Sequence, residues 1–146
     1  MKNLICILFC IIIFSCTIPI DDGFRFDNPT FNNMQEACEW IYKNIKYGSK
    51  DGYDNWRMPE ETLNDGEGDC ADQALLLMAI MEYQKGYDSE LVTVELNNGK
   101  GHAYVRYKGK YYDCTSKKKL NNYKGSILYI YDYDNAIYMA KYVKNY

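Results

Sequence analysis

Three residues give this sequence its chemistry: Cys70, His102 and Asp113. A thiol becomes a working nucleophile when an imidazole takes its proton and a carboxylate holds that imidazole in one tautomer. His102 is the sole histidine of the 146-residue chain, so no other residue can be that base. Cys70 follows Gly66-Glu67-Gly68-Asp69 and precedes an unbroken apolar run over 74–81. That context puts it in the first turn of a helix, where backbone N–H groups and the positive dipole end favour a thiolate. Each residue has a plainer reading by itself: a small buried cysteine, a surface histidine beside a glycine turn. Glycines and carboxylates are a poor setting for a merely structural cysteine, and the three residues together favour catalysis.

The elements that must position them are legible. Asp69 is a good N-cap, Asp72 adds a first-turn carboxylate, and Gly66 and Gly68 permit backbone angles closed to other residues. A helix apolar on all sides, as over 74–81, lies inside a domain, and Gly86 suits its end. Residues 91–96 read as a strand, 97–101 as a turn, 102–107 as a second strand and 110–114 as a third. Lys108-Gly109 makes a two-residue hairpin turn, which pairs Tyr107 with Lys110 and Tyr104 with Asp113. His102 lies two residues from Tyr104 and therefore on its face. His102 and Asp113 become diagonal neighbours, about 7–8 Å apart at the backbone. A slip of one residue would separate them.

Around this core, Met34, Ala37, Cys38, Ile41 and Ile45 recur at helical spacing behind Asn33 and Glu36, a capping-box pair. Gly48 is the expected stop of that helix, and Trp40 beside the stripe is a core or rim aromatic. Residues 48–69 form a long polar connection in which Pro59 opens one helical turn. Tyr53 and Trp56 either wall a substrate cleft or pin that loop, and both readings stand. Residues 126–131 read as a strand, and 135–146 as a strand or a short helix.

A chain of this length holds one domain, and 47% apolar residues supply its core. Tyrosine dominates the aromatics, with 16 copies against 5 Phe and 2 Trp, which suits thin strands that pack a ring and still reach water. A net charge of −3 gives nucleic acid no electrostatic purchase, and Lys117–119 reads as a solvated turn. One lysine and an apolar run over 4–14 have the form of a signal peptide, residues 1–16, too short for a permanent span. Ile13-Phe14-Ser15-Cys16 resembles a relaxed bacterial lipobox with Cys16 as the lipidated residue; the other reading is simple cleavage nearby. Either way the chain leaves the cytoplasm. Residues 17–32 are then a tether and 33–146 the domain. Without Cys6, Cys10 and Cys16, three thiols remain, so at least one is free. A Cys38–Cys114 bridge that leaves Cys70 free is one arrangement.

Trp56-x-x-Pro59-x-Glu61-Thr62-Leu63, Gly66-x-Gly68-Asp69-Cys70-x-Asp72, Gly101-His102-Ala103-Tyr104-Val105 and Tyr112-Asp113 resemble the transglutaminase-like cysteine peptidase superfamily. The similarity spans about residues 34–115 and is nearest to the bacterial transglutaminase-like cysteine proteinases. It implies a papain-like α+β core, with a central buried helix that carries the nucleophile on an antiparallel sheet. It implies Cys70 as nucleophile, His102 as base and then acid, Asp113 as the orienting group, and thioester chemistry. The Cys70 backbone N–H is the implied oxyanion donor, with a second from the loop of Tyr53 and Trp56. Some bacterial members bind calcium beside the cysteine, typically with Glu after it. Ala71 stands there, which leaves Asp69 and Asp72 as the calcium candidates, and no cofactor is expected. The expected function is an exported cysteine hydrolase, acting on a protein or peptide in the cell envelope. The alternatives are a protein-glutamine acyltransferase and a catalytically silent binding module. A cell-wall amidase of the other papain-like type fits less well, since those cysteines sit in Asp-Cys-Ser-Gly.

Overall fold

The structure, a computed structural model, describes residues 23–48 and 55–143. The signal segment, Cys16 and Tyr53 lie outside the described residues. In chain order the elements are α1 (Met34–Asn44), β1 (Lys46–Tyr47), α2 (Pro59–Asp65), β2 (Glu67–Gly68), α3 (Cys70–Lys85), β3 (Glu90–Glu95), β4 (Gly101–Tyr107), β5 (Lys110–Asp113), β6 (Lys118–Leu120), β7 (Ser126–Tyr131) and α4 (Tyr133–Tyr142).

The apolar run folds as its composition requires. Every residue of α3 from Ala71 to Met81 is buried, and Gly86 closes the helix in the left-handed region at φ 61°. One side of α3 lies on Leu91, Ala103 and Val105 of β3 and β4, and α1, α2 and α4 surround the rest. Leu75, Leu76 and Leu77 are fully removed from water, each a stabilisation of about 1.5–3 kcal/mol. The sheet is antiparallel throughout, in the order β6-β5-β4-β3-β7. Its other face carries a smaller cluster, Val92, Val94, Tyr104 and Tyr111, covered by Leu96, Leu120 and Tyr123. The architecture is α+β, as expected. Among the described residues no helix is long and apolar enough to cross a membrane.

The hairpin has the expected register, with Tyr107 opposite Lys110 and Val105 opposite Tyr112. Lys108 and Gly109 both take positive φ, 47° and 71°, the turn whose twist matches paired strands.

Three local expectations are corrected, and one open reading is resolved. Helix α1 begins at its Asn33 cap but ends at Asn44, ahead of Gly48. Ile45 is extended there, and Lys46–Tyr47 leaves to pair in parallel with Glu67–Gly68. Gly48 continues that pairing, its N–H donating to the Gly68 carbonyl at 3.2 Å. Residues 23–32 are packed rather than a tether, with Phe24, Phe26 and Phe31 buried. Gln84 of α3 holds them, donating to the Phe26 and Pro29 carbonyls and accepting from the Phe31 N–H. The lysine run is not only a turn, since Lys118–Leu120 forms the edge strand β6. The ambiguous C-terminal stretch is helix α4, capped by Asp132 and seated through Ala136, Ile137 and Ala140.

Candidate active site

Cys70 is the first residue of α3, and hydrogen bonds fix the turn that delivers it. Asp69 Oδ1 accepts from the N–H groups of Ala71 and Asp72, at 2.9 and 3.1 Å. Asp72 Oδ2 accepts from the Asp69 N–H at 3.0 Å, and the Gln73 N–H donates to the Asp69 carbonyl at 3.0 Å. The N–H groups after Cys70 in the first turn are thus consumed. Among the described residues the Cys70 N–H makes no hydrogen bond, and it remains available to an incoming oxygen.

The two glycines before Cys70 differ in purpose. Gly66 adopts φ 62° and ends α2. Gly68 has no left-handed requirement; a Cβ there would lie 2.8 Å from Asp72 Cβ and 3.0 Å from Thr62 Cγ2. Those neighbours are buried and cannot retreat. Gly68→Ala is therefore expected to cost roughly 1–3 kcal/mol by overpacking and to slow alkylation of Cys70. Chemical denaturation and iodoacetamide kinetics check the two effects.

Arg57 braces the same turn from below. Its N–H donates to Asp72 Oδ1 at 2.9 Å, its Nη1 to the Glu67 carbonyl at 2.7 Å, and its guanidinium pairs with Asp65. The sequence reading missed this role. The signal was a lone arginine among Glu61, Asp65, Asp69 and Asp72. Burial, and then the neighbouring Asp69 charge, raise the Asp72 carboxyl to about 6 against the pull of the Arg57 and Asp69 N–H groups. A raised carboxylic acid favours the folded state fully below its unfolded value of 3.8, and that contribution is lost as pH rises through about 6. Asp72→Asn should flatten the stability change between about pH 4 and 6, on the order of 3 kcal/mol in the parent. Melting curves across that range read the slope, whatever stability the variant loses at every pH.

His102 and Asp113 meet as the register requires, with Nε2 3.3 Å from Oδ2. With Nε2 committed there, Nδ1 is the ring nitrogen left for Cys70, which lines the same cleft as the imidazole. Asp113 is itself held: Oδ1 accepts from the Thr115 N–H at 3.0 Å and hydroxyl at 2.7 Å, and Oδ2 from the Ser116 hydroxyl at 2.8 Å. These hydroxyls also escaped the sequence reading; Asp-x-Thr-Ser, a side-chain turn pattern, was the available signal. The His102 and Tyr104 rings meet edge-on, their centroids 4.8 Å apart.

The electrostatics follow from these contacts. Burial alone would lower the His102 pKa, but hydrogen bonds to Asp113 and Cys70 and their charges outweigh it and bring it to about 9. Burial would raise Asp113, yet His102, Thr115 and Ser116 hold it at about 2. The raised imidazole stabilises the fold fully below 6.5 and loses that contribution as pH climbs through about 9. The depressed carboxylate stabilises it above 3.8 and loses that as pH falls through about 2. Near neutral pH the site holds an imidazolium beside the Asp113 carboxylate.

Cys70 and His102 open onto a cleft of about 600 Å³, lined also by Tyr47, Trp56, Lys100 and Leu128. Trp56 does stand in the cleft, where its ring meets Tyr131 edge-on at 5.1 Å, so it both walls the cleft and anchors its loop. Cys38 and Cys114 are free thiols rather than a bridge, both buried. Burial, then the hydrogen bond to Cys38, push the Cys114 thiol well up. Asp69 and Asp72 do not fit a calcium site. Both Asp72 oxygens receive backbone N–H groups, Asp69 caps α3, and no third acidic ligand joins them among the described residues.

Comparison with known proteins agrees with the fold. A family model described as the Transglutaminase-like superfamily matches residues 21–113. Among solved structures, Legionella pneumophila LapG is similar at 16% identity and TM-score 0.58, with 67% of this chain and 62% of that one covered. A calcium-bound form of LapG gives 17% and 0.55. A putative cysteine protease from Cytophaga hutchinsonii gives 20% and 0.53, with 75% of this chain and 38% of that one covered. The chain thus spans less than two thirds of each. No curated protein matches the chain.

Proposed function

From the chain's membership of the transglutaminase-like superfamily, we propose that it is a cysteine hydrolase that cleaves a peptide or amide bond of an envelope protein or peptide through a thioester. The observation that carries this reading is the line Asp113–His102–Cys70, whose last two members line the cleft. The Cys70 thiolate attacks the carbonyl carbon, and the developing oxyanion takes the spare Cys70 N–H. The imidazolium of His102 gives its proton to the departing amine as the C–N bond breaks. Water then enters; His102 accepts one of its protons, the resulting hydroxide adds to the thioester, and the C–S bond breaks to return the thiolate. Asp113 holds the ring through both transfers. No step calls on a metal.

The N-terminal run supports export, and Cys16 is the residue that a lipid would occupy. The test is to mix the full chain with the p-nitrophenyl ester of an acetylated peptide. A burst of nitrophenolate with acyl mass on the Cys70 peptide is expected. Release without any acyl mass on Cys70 refutes the reading.

A further inference from the structure

Strand β7 is one of the two outer strands of the sheet, and its pairing with β3 is irregular at one point. Thr93 lies opposite Tyr129 and the next residue, Val94, opposite Ile127. Leu128 is therefore the extra residue of a β-bulge, with no partner across the ladder. A bulge re-aims the side chain it carries, and bulges gather beside active sites. This one is pinned on both flanks. The Thr93 hydroxyl donates to the Tyr129 carbonyl at 3.4 Å. Gly125, at φ 101°, brings the chain so close to the Glu95 carbonyl that a Cβ would collide with it.

A single exposed leucine on an edge strand needs no explanation by itself. Leu128 differs because its half-exposed side chain lines the cleft that holds Cys70 and His102. Trp56 lines the same cleft and is seated on Tyr131 of the same strand. The direction of the substrate follows from the sheet order. His102 must reach the departing amine, so the amine side of the substrate lies by β4. Leu128 is two strands away, across β3, and Asp113 is on the opposite side of β4. The acyl side of the substrate runs toward β7.

We propose that Leu128, with Trp56, forms a subsite for an apolar side chain on the acyl side of the scissile bond. The proposal rests on the hydrolase reading and adds its substrate class: an extended peptide with an apolar residue before the cleaved bond. Leu128 is a specificity residue and takes no part in bond making.

The test measures inactivation of the full chain by acetyl-tripeptidyl chloromethyl ketones, in which one Leu moves through the three positions of a serine background. Cys70 displaces chloride from each probe. At one position Leu should speed inactivation about tenfold over the all-serine probe, the value of one apolar contact. Leu128→Asn should abolish that preference and Leu128→Met keep it, while iodoacetamide alkylates Cys70 equally fast in all three proteins. The proposal is overturned if no position prefers Leu, if the preference survives Leu128→Asn, or if that variant slows iodoacetamide as much as the peptides. Failure of the hydrolase reading shows up elsewhere, as an iodoacetamide rate indifferent to His102→Ala, and it removes this proposal too.

Discussion

Replacing Cys70 by alanine should reduce acyl-ester and amide turnover by about 10⁴-fold or more, to the level left by binding and the oxyanion donor alone. The fold should barely notice. Cys70 lies at the surface end of α3, the cap is built by Asp69 and Asp72, and alanine is a better helix former than cysteine. Equal melting temperatures with lost turnover would assign the whole effect to the thiol. The variant has a second signature. The Cys70 hydrogen bond and charge are among the causes that hold His102 at about 9, so its pKa should fall without them.

Asp113→Asn should be nearly as damaging, about 10⁴-fold in kcat/KM, for a different reason. The carboxylate takes hydrogen bonds from Thr115, Ser116 and His102, whereas an amide has one oxygen to offer. Its NH₂ group must then face a donor, and the imidazole loses the partner that fixes its tautomer. The pKa of His102 should drop from about 9 toward its ordinary 6.5, because Asp113 supplies the leading favourable contact. His102 is the only histidine, so an untagged chain gives one imidazole resonance to titrate by NMR. A histidine that still titrates near 9 in the asparagine variant would remove Asp113 from its assigned role.

Much of this site could be read from residue order, and the reason is local. The Lys108-Gly109 turn sets the register of β4 and β5, and that register alone brings His102 to Asp113. Asp69 and the apolar run set the start of α3 in the same way. What escaped depends on contacts distant in sequence. Arg57 meets Asp72 15 residues away, and the β1–β2 pairing that shortens α1 joins Lys46 to Glu67. Neither leaves a periodic pattern. Gly68 looked like a residue chosen for its backbone angles, yet the space beside Asp72 and Thr62 requires it. Leu128 could not be singled out either, since a bulge appears only once two strands are paired.

The central claim, that Cys70 and His102 work as one ion pair, is tested most directly by the pH dependence of Cys70 alkylation. Iodoacetamide would be applied to the full chain and to His102→Ala, with peptide mapping to read Cys70 apart from the buried Cys38 and Cys114. Alkylation of the parent should change near pH 9 as His102 loses its proton. The alanine variant should lack that inflection and be slower below it, by about tenfold or more. Identical profiles for the two proteins would contradict the pairing, and with it the hydrolase reading.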